Sequence, residues 1–369
     1  MAKGIRMGHL DYRGFSALLV YLVGMKLFDN SLLYISRSSL NGAPIMVVLV
    51  TLVIGSAVWL ALRFMQKNPG LNWLEAMQNV LPKPVIHIIG LFLYTASLLD
   101  TGINQRLEVD AVHTLFLTST PDFVLICITS AGAFYAAYEG IEAISRVATM
   151  LFPYLIFALL IGFALLYSYF HWDFLFPLPG IPLGEMARQL LPDTSIYGEI
   201  AMILVLASMA RSHAELKKGI FRGIFFSSGL LILILILCIC VFDIQSMNKN
   251  PWPFQQALQT IYINRYIQHL DAFFVFIWIA AEYVRFAITF FVTCYLLATT
   301  LELHDYRPVL VLNLFLCIVV SVWPDSMSDA NNFRVEILWN YAGPGVFALL
   351  ILPSLYGIWK QSEKELANR

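Results

Sequence analysis

A few charged residues interrupt the long apolar stretches of this 369-residue chain. Lys26 and Asp29 follow Gly24 inside the first apolar stretch, and Glu199 follows Gly198 in a later one. Burying an ion costs several kcal/mol unless the ion is paired or hydrated. These residues therefore predict either structural ion pairs or a site that binds a small polar solute.

Two interpretations apply to each of these charges. Lys26 and Asp29 are three residues apart and would be neighbours on a helix, so they could form a structural ion pair. Alternatively, the Lys26 ammonium occupies the place where some transporters hold a coupling cation, or it contacts the carboxylate of a ligand. Glu199 is a proton-linked carboxylate or a partner for a ligand's ammonium group, or else it is a polar anchor between helices.

Other polar and aromatic residues extend this candidate site. Glu282 and Arg285 are three residues apart and should neutralise each other, with a gate as the alternative. Asp100 is expected near the outer membrane interface, at a solvated helix end. Tyr197 and Trp278 are candidates to line a pocket, although aromatic residues also gather at membrane interfaces. The predicted ligand-binding residues are Gly24, Met25, Lys26, Asp29, Tyr197, Gly198, Glu199 and Trp278.

Composition indicates that the chain is a membrane protein, and it excludes several function classes. The sequence is 59% hydrophobic and 13% charged, and its mean hydropathy is +0.73, which is typical of a membrane protein. A net charge of −1 gives no indication of a nucleic-acid partner. The sequence contains no Walker loop, HExxH or GxSxG motif, and its cysteines and histidines lack metal-ligand spacing. We therefore expect no enzymatic activity, no bound metal and no cofactor.

Ten apolar stretches are candidates to cross about 30 Å of hydrocarbon. They cover residues 15–35, 45–64, 85–105, 123–138, 147–170, 195–211, 220–242, 272–300, 309–323 and 341–359. The sequence thus predicts an all-α membrane protein of about ten transmembrane helices. No cleaved signal peptide is recognisable at the N-terminus.

The basic residues predict the orientation of these spans. Of the 23 Lys and Arg residues, Lys26 and Arg285 fall inside spans. A cytoplasmic N-terminus places six on the outer side, which are Arg37, Arg106, Arg188, Lys249, Arg265 and Arg334, and the other fifteen on the inner side. The positive-inside rule therefore predicts that both termini are cytoplasmic. The predicted organisation is a cytoplasmic segment 1–14, a transporter-like domain 15–359 with halves 15–170 and 195–359, and a cytoplasmic tail 360–369.

The spacing of the spans predicts an internal repeat. Span six begins about 180 residues after span one, so the chain divides into two sets of five. Because five is odd, two similar halves must have opposite orientations, as in many secondary transporters with inverted repeats. In this 5+5 plan the ligand lies near the midplane, where the first helix of each half is broken. Gly24 and Gly198 mark the expected breaks in spans one and six, where free backbone groups could hold an amino acid.

The order of several motifs resembles the spore germination permease family, within the amino acid, polyamine and organocation transporter superfamily. These motifs are Thr120-Pro121, Tyr138-Glu139-Gly140-Ile141-Glu142 leading to Ser145-Arg146, Pro153, Phe176-Pro177, Gly198-Glu199, Lys217-Lys218, Trp252-Pro253, Trp278, Arg307 and Trp323-Pro324-Asp325. The similarity extends from about residue 10 to 360. It differs at the first break, because relatives usually have a small, glycine-rich segment where Met25 and Lys26 follow Gly24.

This resemblance implies a B-type subunit of a nutrient germinant receptor in the spore inner membrane. Such a subunit binds a small germinant, for example an amino acid, and signals to an A-type membrane subunit and a C-type lipoprotein to start germination. A proton-coupled amino acid permease is the alternative, because a receptor built on a transporter fold keeps the same broken helices. A structural subunit with a vestigial site is a third possibility.

Overall fold

The computed structural model describes residues 9–261 and 271–367, whose regular secondary structure is helical and which contain no β-strand. Lys3, Arg6, Arg265 and His269 lie outside these described residues. The α-helices are α1 (Tyr12–Val23), α2 (Ser31–Ser39), α3 (Ala43–Gln66), α4 (Trp73–Met77), α5 (Lys83–Leu115), α6 (Asp122–Glu139), α7 (Ile141–Leu166), α8 (Leu183–Asp193), α9 (Ile200–Val205), α10 (His213–Phe242), α11 (Ile244–Met247), α12 (Pro253–Gln259), α13 (Asp271–Thr300), α14 (Leu310–Val322), α15 (Met327–Phe333) and α16 (Gly343–Ala367).

Six helices in the described residues are long and apolar enough to cross a membrane, or seven if one bent pair is a single span. The six are Ser31–Gln66, Lys83–Leu115, Ile141–Tyr169, His213–Phe242, Phe274–Thr300 and Met327–Lys360. Large apolar side chains such as Ile88, Met150 and Phe225 are exposed on the outside, as expected of a surface that faces lipid. The chain is therefore a multi-pass membrane protein, although this count does not reach the predicted ten spans.

Span one is interrupted at the predicted position. Helix α1 ends at Val23, the segment Gly24–Leu27 is a 3₁₀ helix, and α2 begins only at Ser31. The break leaves Phe28, Asp29 and Asn30 outside regular helix. Their side chains and the neighbouring backbone groups thus become available for contacts with other spans.

Span six is bent as well, and it begins earlier than the predicted residue 195. Helix α8 ends at Asp193, and a 3₁₀ segment Thr194–Tyr197 connects it to Gly198 and Glu199, which precede α9. The helical segments Leu183–Tyr197 and Ile200–Met209 meet at an angle of 49°. Gly198 and Glu199 therefore lie at the corner of this bend.

Helix α1 lies inside the bundle, where it packs against α7, α10 and α13. Two glycines of α10 allow the closest approach. A Cβ atom at Gly219 would lie 2.6 Å from Phe15 Cβ, and one at Gly223 would lie 2.6 Å from Leu19 Cβ. Small residues at this four-residue spacing let membrane helices pack with their backbones close together. The part of span one that precedes the break at Gly24 is thus packed closely against α10.

Helix α5 has 33 residues, twelve more than the 21 residues of the predicted span 85–105. It packs against α13 and α14, and buried hydrogen bonds support this packing. Tyr94 donates to Asn313 at 3.0 Å, and Ser97 and Thr293 share a hydrogen bond of 2.6 Å. Because α5 extends to Leu115, Asp100 lies at mid-length rather than near the outer interface, which corrects the prediction.

The last span consists of three helical segments, of which the middle one is a π-helix. Helix α15 continues into a π-helix, Arg334–Ala342, and then into α16. The Ser195 hydroxyl of span six donates a hydrogen bond to the backbone carbonyl of Trp339 in the π-helix. Span ten therefore contacts the bend of span six through its irregular segment.

Candidate functional site

Eight ionisable side chains meet between the two breaks, α5, α13 and the π-helix. They are Lys26, Asp29, Asp100, Glu108, Glu199, Glu282, Arg285 and Arg334. Each comes from a span, and we call this group the charge cluster. Ion pairs described below connect seven of them, and Asp100 adjoins Glu199 at the wall of a small cavity.

Lys26 joins the two broken helices. Its side chain is only 2% exposed, and its Nζ atom lies 2.7 Å from Glu199 Oε2. The same ammonium donates to the backbone carbonyl of Ile196 at 2.6 Å. The partner of Lys26 is thus Glu199, which corrects the predicted Lys26–Asp29 pair. The reason is the break itself, because the chain leaves the helix after Leu27 and the i,i+3 neighbourhood is lost.

Asp29 pairs with two arginines instead. Its Oδ2 atom lies 3.2 Å from Arg285 Nη1 and 3.4 Å from Arg334 Nη1. Its Oδ1 atom accepts a hydrogen bond from the backbone N–H of Ser31 at 2.6 Å. Both carboxylate oxygens of Asp29 therefore have partners, and the side chain also stabilises the start of α2.

Arg285 is the hub of the charge cluster. The predicted contact with Glu282 is present, with 3.3 Å between Arg285 Nη1 and Glu282 Oε2. The pair does not simply neutralise itself, because Arg285 also lies 3.6 Å from Glu108 Oε1 and 3.8 Å from Glu199 Oε1. One guanidinium group therefore connects α5, α13 and both breaks.

Arg334 is a member of the site that the sequence patterns placed outside the membrane. It is 1% exposed, and its Nη1 atom donates to Asn104 Oδ1 at 3.0 Å. Its Cζ atom lies 4.6 Å from the ring centroid of Trp339, and Lys26 Nζ lies 5.9 Å from the same centroid. These distances permit cation–π attraction. The burial of Arg334 contradicts its predicted position outside the membrane-spanning part of the chain.

A small cavity adjoins the charge cluster. It has about 50 Å³ of space for water-sized molecules and lies between α5, the bend of span six and span ten. Gly198 and Glu199 line it, together with Asp100 and Trp339. A second, narrower cleft of about 10 Å³ adjoins Asp29, Trp278 and Arg334. A wider cavity of about 520 Å³, lined by Asn30, Tyr34 and Asn331 among others, lies next to it.

The predicted site residues fall into two groups. Lys26, Asp29 and Glu199 belong to the charge cluster, Gly198 lines the small cavity, and Trp278 lines the narrow cleft, where its ring packs 6.4 Å from that of Phe28. The remaining three residues lie elsewhere.

Gly24 faces α10, because a Cβ atom there would meet Val20, Leu230 and Ser227. Met25 is fully buried in the core. The Tyr197 hydroxyl points to α3 and α10, where it shares hydrogen bonds with Thr51 (2.9 Å) and Ser228 (2.7 Å).

Comparison with known proteins adds the family. Residues 15–330 match the family model for spore permeases, described as spore germination protein. The chain belongs to this family. It is 22% identical over 330 residues to spore germination protein XB of Bacillus anthracis, covering 88% of this chain and 89% of the relative. It is 24% identical over 284 residues to spore germination protein A2 of Bacillus subtilis strain 168, covering 76% and 75%.

Solved structures show that this germination protein has a transporter fold. A Na⁺-coupled sialic acid symporter in a substrate-bound, outward-open state matches with a TM-score of 0.66 and 11% identity, covering 94% of this chain and 79% of that one. A nucleobase-cation-symport-1 family transporter in a closed conformation matches with a TM-score of 0.54 and 14% identity, covering 94% and 78%. Family and fold are those of a membrane protein that is not an enzyme.

Proposed function

We propose that this protein is the B-type subunit of a nutrient germinant receptor. It binds a small, amino acid-like germinant near the membrane midplane and passes a conformational change to partner subunits, which starts germination. Membership of the spore germination family supports this function, and the transporter fold supports a solute site between broken helices.

The observation that carries the proposal is the Lys26–Glu199 ion pair. It is buried, it joins the break of span one to the bend of span six, and Glu199 also lines the small cavity. A ligand that binds in the cavity would compete with Lys26 for Glu199 and weaken the electrostatic attraction between the two breaks. Ligand binding would thereby be coupled to the relative position of two spans.

The experiment uses spores that lack the chromosomal gene and are complemented with variants. Gly198→Leu should abolish the germinant response while the protein level stays near normal, because the side chain would fill the space beside the cavity. Gly229→Leu is the matched control, because a Cβ atom at Gly229 of α10 meets no atom within 4 Å. A normal dose-response curve for Gly198→Leu would remove the germinant site from this position.

The proposal includes the 5+5 inverted repeat, with both termini and the loop between Arg211 and Arg222 in the cytoplasm. The excess of basic residues on one side supports this orientation. We expect single cysteines in that loop, in a cysteine-free background, to react with an impermeant reagent only after the membrane is opened. Reaction in intact cells would refute the orientation.

An A-type membrane subunit, a C-type lipoprotein and the spore inner membrane complete the proposed setting. The names of the relatives support a role in germination. Genes for the two other subunits beside this one would favour the receptor, whereas an isolated gene would favour a permease.

A proton-coupled amino acid permease is the second candidate function. The charge cluster favours it in one respect, since five carboxyl groups face only three basic side chains, which leaves places for protons. Uptake of radiolabelled amino acids into proteoliposomes with an imposed pH gradient separates the two functions. Binding without uptake supports the receptor, and gradient-dependent uptake supports the permease.

A further inference from the structure

Two carboxylate oxygens beside the small cavity have no hydrogen-bond partner among the described residues. One is Oε1 of Glu199, whose side chain is only 3% exposed. The other is Oδ2 of Asp100, from the middle of α5. Both residues line the same cavity. A buried carboxylate oxygen without a donor is costly, so the pair indicates a donor that is absent from the protein chain.

None of the described lysine and arginine side chains donates a hydrogen bond to these two oxygens. Lys26 donates to Glu199 Oε2 and to the Ile196 carbonyl. Arg285 Nη2, which has no hydrogen-bond partner among the described residues, lies 3.8 Å from Glu199 Oε1, which is too long for a hydrogen bond. Arg334 pairs with Asp29 and Asn104. Among the described residues, no lysine or arginine lines the cavity itself. The cavity is thus lined by negatively charged hydrogen-bond acceptors and lacks basic side chains that would bind an anion.

The charge cluster as a whole also has more acidic than basic groups. The charge cluster contains five carboxyl groups and three basic groups, which are Lys26, Arg285 and Arg334. One positive group in the cavity would reduce this imbalance. A metal ion is disfavoured, because no three or more Asp, Glu, His or Cys side chains in the described ranges are arranged to hold one. An ammonium group needs fewer ligands, and its N–H donors match two carboxylate oxygens.

The other walls set the size and polarity of the ligand. Ala96, Met202 and Val346 give the cavity an apolar side, and about 50 Å³ is room for a group of a few heavy atoms. Trp339 closes the cavity with an aromatic face, which also attracts cations.

We propose that this cavity recognises its ligand through a primary ammonium group, held by Asp100 and Glu199, with a small apolar group against Met202 and Val346. A carboxylate on the ligand is dispensable for binding. The ligand class is therefore small organic amines, including amino acids bound by their amino end. This inference rests on the proposed function only in assuming that the cavity is the germinant site.

Thermal unfolding of the purified full-length protein in detergent tests the inference. The probes are isopropylamine, isobutyrate and 2-propanol, which share a similar carbon skeleton and differ in the polar group, together with L-alanine, alaninol and lactate. A ligand that binds only the folded state raises the midpoint of unfolding. We expect isopropylamine, alaninol and L-alanine to raise it, and isobutyrate, 2-propanol and lactate to leave it unchanged.

Asp100→Asn should weaken the affinity for the amines, obtained from the shift of the unfolding midpoint, by about tenfold, because it removes one charged acceptor. Asp325→Asn is the control, since Asp325 is an exposed carboxylate away from the cavity. A shift with isobutyrate or lactate but not with the amines would overturn the inference, as would no shift with any probe. The wild-type probe series remains decisive if Asp100→Asn fails to fold.

Germination assays then separate this inference from the proposed function. If amines bind but deletion of the gene leaves germination unchanged, the receptor function is wrong and the ammonium site stands. If germination depends on the gene but binding ignores the amine, the ammonium site is wrong and the receptor function stands.

Discussion

The two helix breaks differ in how completely their charges are paired. In span one, Lys26 has two acceptors, and Asp29 has a donor on each carboxylate oxygen. In span six, the Glu199 side chain lines the cavity, and one of its oxygens is paired with Lys26 while the other receives no hydrogen bond from any described residue. The first break is thus an internally satisfied connection, and the second keeps an open position.

This difference separates structural charges from candidate ligand contacts. A satisfied buried pair maintains the shape of a helix break, and losing one member leaves the other uncompensated. An unsatisfied buried acceptor costs stability in the resting fold and gains a partner when a ligand arrives. Substitutions in span one should therefore act mainly on stability, and those in span six mainly on the response.

The largest expected effect comes from Lys26. Lys26→Met leaves Glu199 buried without its closest cation, and we expect a loss of about 3 to 5 kcal/mol in the free energy of unfolding. The double variant Lys26→Met with Glu199→Gln should recover most of that loss, because replacing both members of a buried pair is often nearly neutral. Chemical denaturation of both variants in detergent measures this.

The same double variant also distinguishes an effect on stability from an effect on the germinant response. We expect recovered stability without recovered germination, since the neutral amide that replaces the Glu199 carboxylate would carry no charge for the ligand. A double variant that germinates normally would show that Lys26 and Glu199 form a purely structural pair. Lys26→Met with Asp29→Asn is the matched control, and it should remain destabilised because Asp29 is not the partner of Lys26.

The second prediction compares the glycines of the two breaks. Gly24→Leu should destabilise the protein by about 1 to 3 kcal/mol, because a Cβ atom there already lies 3.3 Å from Val20 Cγ1 and 3.5 Å from Leu230. A Cβ atom at Gly198 would meet one atom, the Ser195 carbonyl oxygen of the same turn at 3.2 Å, whereas a Cβ atom at Gly24 meets side chains of two helices, so we expect a smaller loss for Gly198→Leu. Unfolding midpoints of the two variants give the order, and the reverse order would contradict the distinction between the breaks.

The smallest effect should follow from Ser195→Ala. This substitution removes the hydrogen bond between the bend of span six and the Trp339 carbonyl, which is worth about 1 kcal/mol. Ser208→Ala, which removes a hydrogen bond to Tyr295 at 3.1 Å, is a control of similar size farther along the same span. Germinant dose-response curves should shift for Ser195→Ala only. Equal shifts would mean that the bend has no special connection to span ten.

Sequence patterns were sufficient for the membrane class, the breaks and part of the site. Long apolar runs and the Gly24 and Gly198 neighbourhoods locate features that depend on local sequence. Partner choice was not predictable, because Lys26 reaches Glu199 across 173 positions. Arg334 was missed for a different reason. It stands in a polar stretch before the last apolar run, and only the start of α15 at Met327 reveals that the helix is already inside the bundle.

Glu108 shows a similar limit. A window based on hydropathy ends span three at about residue 105, whereas α5 extends to Leu115 with its polar residues facing the interior. Beyond residue 105 the helix mixes charged and apolar residues, so a uniform apolar run is the wrong template there. A search for polar residues at helical spacing beyond the apolar window would have found Glu108.

The π-helix of span ten has a consequence for helical phase. Each α-helical residue turns the chain by about 100°, whereas an i→i+5 segment advances less per residue. If the same residues wound as a regular α-helix, the five steps from Arg334 would carry Trp339 roughly 140° past a full turn instead of close to one turn. Trp339 would then leave Lys26, although no side chain of the site had been altered. The register of the last span is therefore a determinant of the site in its own right.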